Sequence, residues 1–121
     1  MKVICIRLSF SELRLQFDRI GDDLLIAVCG GEMPHIGCAV LAVPRPSLKG
    51  DGSLSCTSSV LNLTGHKDEA LCRLLAERAC VHYQKTCLCT GGFHVDNMSP
   101  AQIQEVVEAV KGLNPNDFYK H

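Results

Sequence analysis

The chain has 121 residues, a formal net charge of −1 and a hydrophobic fraction of 46%, which suit one globular domain with its own core. The near-neutral net charge argues against a nucleic-acid partner, because phosphate binding normally requires a basic stripe on the protein surface. No segment reaches the roughly 20 consecutive apolar residues that a membrane-spanning helix needs, so we expect no membrane partner.

The eight cysteines could form either a disulfide framework or a set of buried thiols. The segment from Met1 to Arg7 has charges within a short apolar run and no small-residue cleavage site, so it is not typical of a signal peptide. No Cys-x-x-Cys pair is present, which disfavours a zinc or thioredoxin-like site. We therefore expect all eight cysteines to pack as small hydrophobes in a reducing cytoplasm.

Six segments have the short apolar or alternating pattern of β-strands. In chain order they are residues 3–8, 13–18, 24–29, 36–43, 54–61 and 86–95. The stretch from Pro44 to Gly52 is rich in proline, glycine and serine, so we expect it to connect the fourth and fifth strands.

Two helices are predicted between and after the last strands. The first runs from about Lys67 to Tyr83, and Asp68 and Glu69 in its first turn suit the positive end of the helix dipole. The second begins with Ser99 as N-cap, followed by Pro100 and by Gln102 as the partner in a capping box. The sequence thus predicts a single α/β domain of the α+β type over residues 1–121.

Three histidines fall on loops that the strand directions bring to one end of this domain. The loop after the third strand is short, so the fourth strand must return antiparallel, and counting onward places His35, His66 and His94 at the same end. Both helices also begin there, and helix N-termini offer unpaired N–H groups that suit phosphate or carboxylate. We expect Asp96 to lie on the same face as His94, two residues away. The sequence therefore predicts a binding site with a preference for an anion.

No reaction follows from these residues alone. Three histidines and a carboxylate could bind zinc or iron, but no His-x-His or His-x-x-x-His pair is present. A Gly-x-Ser-x-Gly motif, a dinucleotide-binding fingerprint and a P-loop are also missing from the sequence. Each histidine taken singly has an ordinary explanation as a loop or surface residue, and it is their convergence that indicates function.

Three segments of the sequence resemble the signature segments of the LpdD-like family. They are Gly30-Gly31-Glu32-Met33-Pro34-His35-Ile36-Gly37, Gly65-His66-Lys67-Asp68-Glu69 and Gly92-Phe93-His94-Val95-Asp96-Asn97. The resemblance extends in order and spacing over roughly residues 21–110. The chain departs from the family in its higher cysteine content and in Phe93, where an aliphatic residue is expected.

The resemblance implies a role as well as a fold. LpdD-like proteins are described as prenylated-flavin chaperones that accompany UbiD-type hydroxyarylic acid decarboxylases, and their fold is similar to that of proteasome assembly chaperones. It implies a mainly antiparallel sheet with both helices on one face, a homodimer, a non-catalytic accessory role, and prenylated FMN as cofactor. The expected cofactor-binding residues, with no metal ligand and no catalytic residue among them, are Gly30, Gly31, Pro34, His35, Gly65, His66, Lys67, His94, Asp96 and Asn97.

Two other functions remain open at this point. One is a metal-dependent or acid–base enzyme that uses His35, His66, His94 and Asp96. The other is an assembly chaperone that recognises a protein surface without any cofactor.

Overall fold

The computed structural model describes residues 1–63 and 67–119, with the side chain of Lys67 excluded. It contains six strands, two helices and a short 3₁₀ turn. Their bounds are β1 Lys2–Arg7, β2 Glu12–Ile20, β3 Asp23–Gly31, β4 Cys38–Pro46, β5 Leu54–Asn62, α1 Lys67–Tyr83, β6 Cys87–His94, α2 Pro100–Lys111 and the turn Pro115–Asp117. The predicted single α+β domain is confirmed.

The six strands form one open sheet in the order β1-β2-β3-β6-β4-β5. Strand β6 lies between β3 and β4, parallel to β3 and antiparallel to β4, and every other pair is antiparallel. The connection through α1 returns the chain from the β5 edge to the middle of the sheet. The strand directions expected from the loop lengths are correct, although the third and fourth strands are separated by β6.

One face of the sheet packs against the helices and forms the core with them. Alternate residues of each central strand point to this face, as Leu13, Leu15 and Phe17 do in β2, and all three are buried. Helix α1 packs on β4, β5 and β6, and α2 packs on α1. Apolar residues at helical spacing in α1, including Leu71 and Leu75, are buried against the sheet, as predicted.

Strand β4 begins and ends later than the sequence predicts. Ile36 is 64% exposed and lies before the strand, which starts at Cys38. At its other end the strand includes Pro44 and Pro46, which pair with β5 in a stretch that the sequence assigns to the connection. The pairing of β4 with β6 stops at Ala42, so beyond it one side of β4 is a free edge where a missing N–H costs no ladder bond.

The C-terminal residues contribute to the core, which the sequence does not predict. The ring of Phe118 stacks on Phe17 with centroids 4.8 Å apart, and Phe118 is fully buried. The hydroxyl of Tyr119 donates a 2.8 Å hydrogen bond to the carbonyl oxygen of Leu25. The 3₁₀ turn thus brings the chain back against β2 and β3.

All eight cysteines are free, and five of them are fully buried. Those five are Cys38, Cys72, Cys80, Cys87 and Cys89. The expectation of packing is wrong for Cys5, which is exposed because it points away from the helices on edge strand β1.

Candidate functional site

Two of the three predicted histidines meet at the end of the sheet where β3 and β6 finish. Gly31 at the end of β3 is paired in register with His94 at the end of β6. The ring of His35, from the β3–β4 loop, lies 6.5 Å from the ring of His94 between centroids, at an angle of 79°. The third histidine, His66, and its neighbour Gly65 lie outside the described residues, so their predicted place in the site stays a prediction.

The ring of His35 is held through both of its nitrogen atoms. Nδ1 lies 2.9 Å from the carbonyl oxygen of Met33, and Nε2 lies 3.2 Å from Oδ2 of Asp68. A carbonyl oxygen only accepts hydrogen bonds, so Nδ1 donates to Met33, while Nε2 faces the carboxylate of Asp68. The ring therefore offers no free nitrogen, and His35 contributes its exposed face and edge to the site.

Asp68 is the residue that organises this end of the molecule. Its side chain is only 4% exposed although it lies in the first turn of α1. Oδ1 accepts a 3.0 Å hydrogen bond from the backbone N–H of Phe93 in β6, while Oδ2 faces His35. One carboxylate thus joins α1, β6 and the β3–β4 loop, and a buried carboxylate persists because both oxygen atoms have partners.

From the sequence, Asp68 is predicted only to interact with the helix dipole, and its contacts with His35 and Phe93 are not predicted. The one available signal was its position inside the second signature segment, directly after His66 and Lys67. Nothing local shows that this acid, and not the adjacent Glu69, faces the interior.

Two glycines leave the space that His35 occupies. A Cβ atom at Gly92 would lie 2.6 Å from Nε2 of His35 and 2.7 Å from Cε1. A Cβ atom at Gly37 would lie 2.2 Å from Oδ2 of Asp68. Both distances are below van der Waals contact, so the pair of His35 and Asp68 forms only because these two positions lack side chains.

The backbone conformation and the surroundings of Gly31 require a residue without a side chain. Its φ is +79°, and a Cβ atom there would lie 2.2 Å from the carbonyl oxygen of His94. The N–H of the next residue, Glu32, donates to that same oxygen at 2.7 Å. The double glycine at the end of β3 therefore lets this strand approach β6 closely, and its predicted contact with a ligand stays untested.

His94 is as exposed as His35, but its carboxylate partner lies at the surface and not in the core. Its Nε2 lies 2.8 Å from Oδ1 of Asp96, and the two side chains are 35% and 74% exposed. The expectation that these residues share a face is confirmed. Asn97 follows in a left-handed turn with φ of 57°, a conformation that asparagine tolerates better than most residues.

The remaining predicted residues lie around this centre. Pro34 is exposed in the β3–β4 loop, and Lys67 is the first residue of α1. Both helices begin at this end of the sheet, since α1 follows β5 and α2 follows β6. The helix starts therefore lie on the same side of the molecule as the two histidines, as predicted.

Apolar side chains border the histidines on two sides. Met33, Ile36 and Leu63 are 61%, 64% and 73% exposed, and the N–H of Leu63 donates to the carbonyl oxygen of Gly37 at 2.9 Å. On the other side a small cleft of about 20 Å³ lies between α1 and α2. Its lining residues are Asp68, Leu71, Phe93, Met98, Ile103, Val106 and Val107.

Across residues 1–63 and 67–119, no group of three histidine, cysteine or acidic side chains could hold a metal ion. Within the same ranges, neither helix is long and apolar enough to cross a membrane.

The arrangement can be compared with known proteins. The family model described as the prenylated flavin chaperone LpdD-like domain matches residues 9–116, whereas curated proteins give no match. A chain in the structure described as a novel chaperone complex for yeast 20S proteasome assembly is 16% identical, with a TM-score of 0.50. That alignment covers 92% of this chain and 91% of the other, and at this identity it shows a common fold alone. Because the family model covers most of the sequence, the chain belongs to the prenylated flavin chaperone LpdD-like domain family.

Proposed function

We propose that this protein binds prenylated FMN, or a maturation state of it, and thereby assists a UbiD-type hydroxyarylic acid decarboxylase. The observation that carries the proposal is the pair of histidines, His35 from the β3–β4 loop and His94 from the end of β6, whose rings lie 6.5 Å apart at the end where both helices begin. Family membership supports the choice of ligand.

The charges around the site are compatible with a phosphate. Two carboxylates at this end have an imidazole partner, since Asp68 faces His35 and Asp96 faces His94, while Glu32 is exposed directly after β3. An incoming anion would meet the positive ends of two helices at this end of the molecule. His94, whose partner Asp96 is mostly exposed, is the side chain that can turn towards the phosphate.

The side chains around the two histidines are also compatible with transient binding of the flat flavin ring. Exposed Met33, Ile36 and Leu63 offer apolar contact, while the whole chain has no tryptophan and only 5% aromatic residues. Apolar contact without extensive aromatic stacking favours release of a ligand over permanent retention. Prenylated FMN supplies its chemistry in the decarboxylase, and the residues of this chain bind and orient it.

Binding can be measured by titrating the protein with oxidised and reduced prenylated FMN. We expect saturable binding that His94→Ala weakens at least tenfold. His82→Ala is the matched control, because His82 is an exposed histidine in the last turn of α1, away from this end, and its replacement leaves the affinity unchanged. Absence of binding, together with no effect on reconstitution of a UbiD-type enzyme, would overturn the proposal.

The same reconstitution assay separates this function from that of a cofactor-free assembly chaperone. We expect replacement of both His35 and His94 by alanine to abolish activation of the decarboxylase. Full activation by the double variant would indicate that the protein recognises only a protein surface.

We further propose that the protein acts as a homodimer in the reducing cytoplasm. Eight free cysteines support the reducing compartment. A chain of this size buries only about two-thirds of its surface on folding, so association offers additional burial.

A further inference from the structure

Strand β5 is an unpaired edge of the sheet, since it lies last in the strand order and pairs with β4 alone. Its register with β4 runs without a bulge over all nine residues, Leu54–Asn62. In an antiparallel pair, alternate residues direct their N–H and C=O groups away from the partner strand. Across residues 1–63 and 67–119, no other backbone group donates to or accepts from the backbone of β5. The outer edge of β5 therefore presents a row of open backbone hydrogen-bonding positions.

The sequence of β5 has none of the features that usually protect an edge strand from pairing. Proteins protect such edges with charged side chains, proline, bulges or very short strands. β5 has nine residues, and none of them is charged, proline or glycine. The strand at the opposite edge, β1, has six residues, with Lys2 at its start and Arg7 at its end. The two edges thus differ, and β5 is the one that is suited to accept a further strand.

A row of charged side chains on α1 lies beside β5, on the face of the sheet that packs against the helices. The hydroxyl of Ser58 in β5 donates to Glu77 at 2.6 Å and accepts from Arg73 at 3.1 Å. The amide of Asn62 donates to Glu69 at 2.6 Å. Arg73 forms ion pairs with both glutamates, at 2.8 and 3.8 Å, so the row has two carboxylates for one guanidinium. Because the side chains of Arg73 and Glu77 are partly exposed, a strand added beside β5 would lie within reach of this acidic row.

Three other basic side chains lie near β5, and each of them is directed elsewhere. Arg78 donates its hydrogen bonds to carbonyl oxygens at the end of α2. Arg45 lies on the opposite face of the sheet, where its Nε donates to the hydroxyl of Thr57 at 2.9 Å. The ring of His82 packs edge-on against that of Tyr83, with centroids 4.8 Å apart. The acidic row is thus the charge that an added strand would meet on the helix side.

We propose that an extended segment of a partner protein adds to the sheet as a seventh strand along β5 and carries a lysine or arginine on the side that faces α1. Its backbone pairs with the open N–H and C=O groups of β5, and its basic side chain meets the carboxylates of Glu69 and Glu77. The aliphatic stem of that side chain contacts Val81 and Cys56, which line an open groove together with Glu77. The other side chains of the segment are uncharged, because β5 itself has no charge to pair with them. The proposal goes beyond flavin binding and does not depend on it.

A synthetic peptide tests the charge preference. The probe alternates threonine and valine over about nine residues to match β5, with threonine at both ends, lysine in place of the central threonine, blocked termini and a fluorescent label. Fluorescence anisotropy should show saturable binding, and glutamate at the central position should weaken it at least fivefold. Glu77→Lys should reverse this preference. Glu108→Lys is the matched control and should leave the preference unchanged, because Glu108 is an exposed acid on α2.

Circular dichroism checks that both variants fold. Absence of binding by the lysine peptide to the wild-type protein, or no reversal of the preference in Glu77→Lys, overturns the proposal.

Backbone methylation of the same peptide tests whether it binds as a strand. N-methyl groups on alternate residues remove the N–H donors from one edge of the peptide and leave its side chains unchanged. Of the two alternate sets, one should abolish binding, and the other should leave the dissociation constant within threefold of that of the unmethylated peptide. Loss of binding from neither set, or from both, overturns strand addition.

Hydrogen exchange identifies the edge that the peptide occupies. Binding should protect the backbone amides of β5 and leave those of β1 unchanged, and protection of β1 instead overturns the proposal. If the amides of β5 in the free protein become more protected as the protein concentration rises, a second copy occupies this edge, which also overturns the proposal. The flavin titration remains a separate test of the proposed function, because the peptide contains no flavin.

Discussion

The carboxylate of Asp68 lies 3.2 Å from Nε2 of His35, although 33 positions separate the two residues in the chain. The other oxygen of Asp68 accepts a hydrogen bond from the N–H of Phe93, so one side chain connects three elements that arrive from different parts of the sequence. The relative position of the two histidines therefore depends on a residue that need not contact the ligand itself.

The free energy of unfolding should fall when the polar atoms of Asp68 are removed, and it should change little when only the charge of Asp68 is removed. Asp68→Ala leaves the Phe93 N–H without a partner and should lower the free energy of unfolding by about 2–4 kcal/mol. Asp68→Asn should cost under about 1 kcal/mol, because its amide oxygen still accepts from Phe93 and its amide nitrogen can donate to a neutral His35 ring. Urea denaturation measures both values.

The control for these variants is Asp96→Ala, which should change the unfolding free energy by less than about 0.5 kcal/mol because Asp96 is 74% exposed. If Asp68→Ala and Asp96→Ala lowered the free energy of unfolding by the same amount, the structural role of Asp68 would be contradicted.

Gly92 should not accept even the smallest side chain. A methyl group at this position would overlap the ring of His35, at 2.6–2.9 Å from three of its atoms, and would push the ring away from Asp68. We expect Gly92→Ala to weaken flavin binding and to change the His35 ring resonances while leaving the sheet intact. Gly112→Ala is the control, since Gly112 has φ of −73° and its Cβ would make only ordinary contacts, so this variant should be neutral.

If Gly92→Ala bound flavin with wild-type affinity, the position of His35 would have no role in binding. Unchanged His35 resonances would further show that the ring does not contact Gly92.

Arg78 should contribute more to stability than Arg73, although both lie on α1. The guanidinium of Arg78 donates to the carbonyl oxygens of Val110, Lys111 and Leu113 at 2.8–3.2 Å and so satisfies the C-terminus of α2. Arg73 forms ion pairs with Glu69 and Glu77 on the helix surface, where such pairs contribute little. We expect Arg78→Ala to lower the unfolding free energy by about 2–3 kcal/mol and Arg73→Ala by under about 1 kcal/mol.

Thermal and urea unfolding of the two arginine variants provide the comparison. A larger loss from Arg73→Ala would contradict the assignment of Arg78 as the link between the two helices.

The buried thiols should make the protein less stable at alkaline pH. Burial raises the pKa of Cys38 to about 12, that of Cys87 to about 12 and that of Cys80 to about 11. Above about pH 9 the unfolded chain loses these protons while the folded chain keeps them, so the folded state binds more protons and stability falls as pH rises. Cys72 acts in the opposite direction, because a hydrogen bond from Cys89 lowers its pKa, but five other cysteines have a raised pKa.

The midpoint of urea unfolding between pH 8 and 11 measures this effect, and a rising midpoint would contradict it. At pH 8 iodoacetamide should modify exposed Cys5 first, and the five buried cysteines should react only after urea is added. Rapid modification of all eight thiols in the native protein would show that the core is open.

The local sequence determined most of the elements and their directions. The alternation of Leu13, Leu15 and Phe17 predicts β2 because side chains of a strand point alternately to two faces, and this needs no knowledge of the partner strands. The cap at Ser99 is equally local, since its side chain accepts from the N–H of Gln102 within the same turn. Loop lengths then sufficed to bring His35 and His94 to one end.

The tertiary structure alone decided which side chains at that end contact one another. Asp68 and Glu69 are adjacent acids in one helical turn, and only the packing of α1 on β6 directs the first of them to the Phe93 N–H and the His35 ring. The space at Gly92 likewise depends on where a distant loop folds back. The strand order that places β6 between β3 and β4 has the same origin, because pairing partners are selected by the burial of the whole sheet face and not by any local pattern.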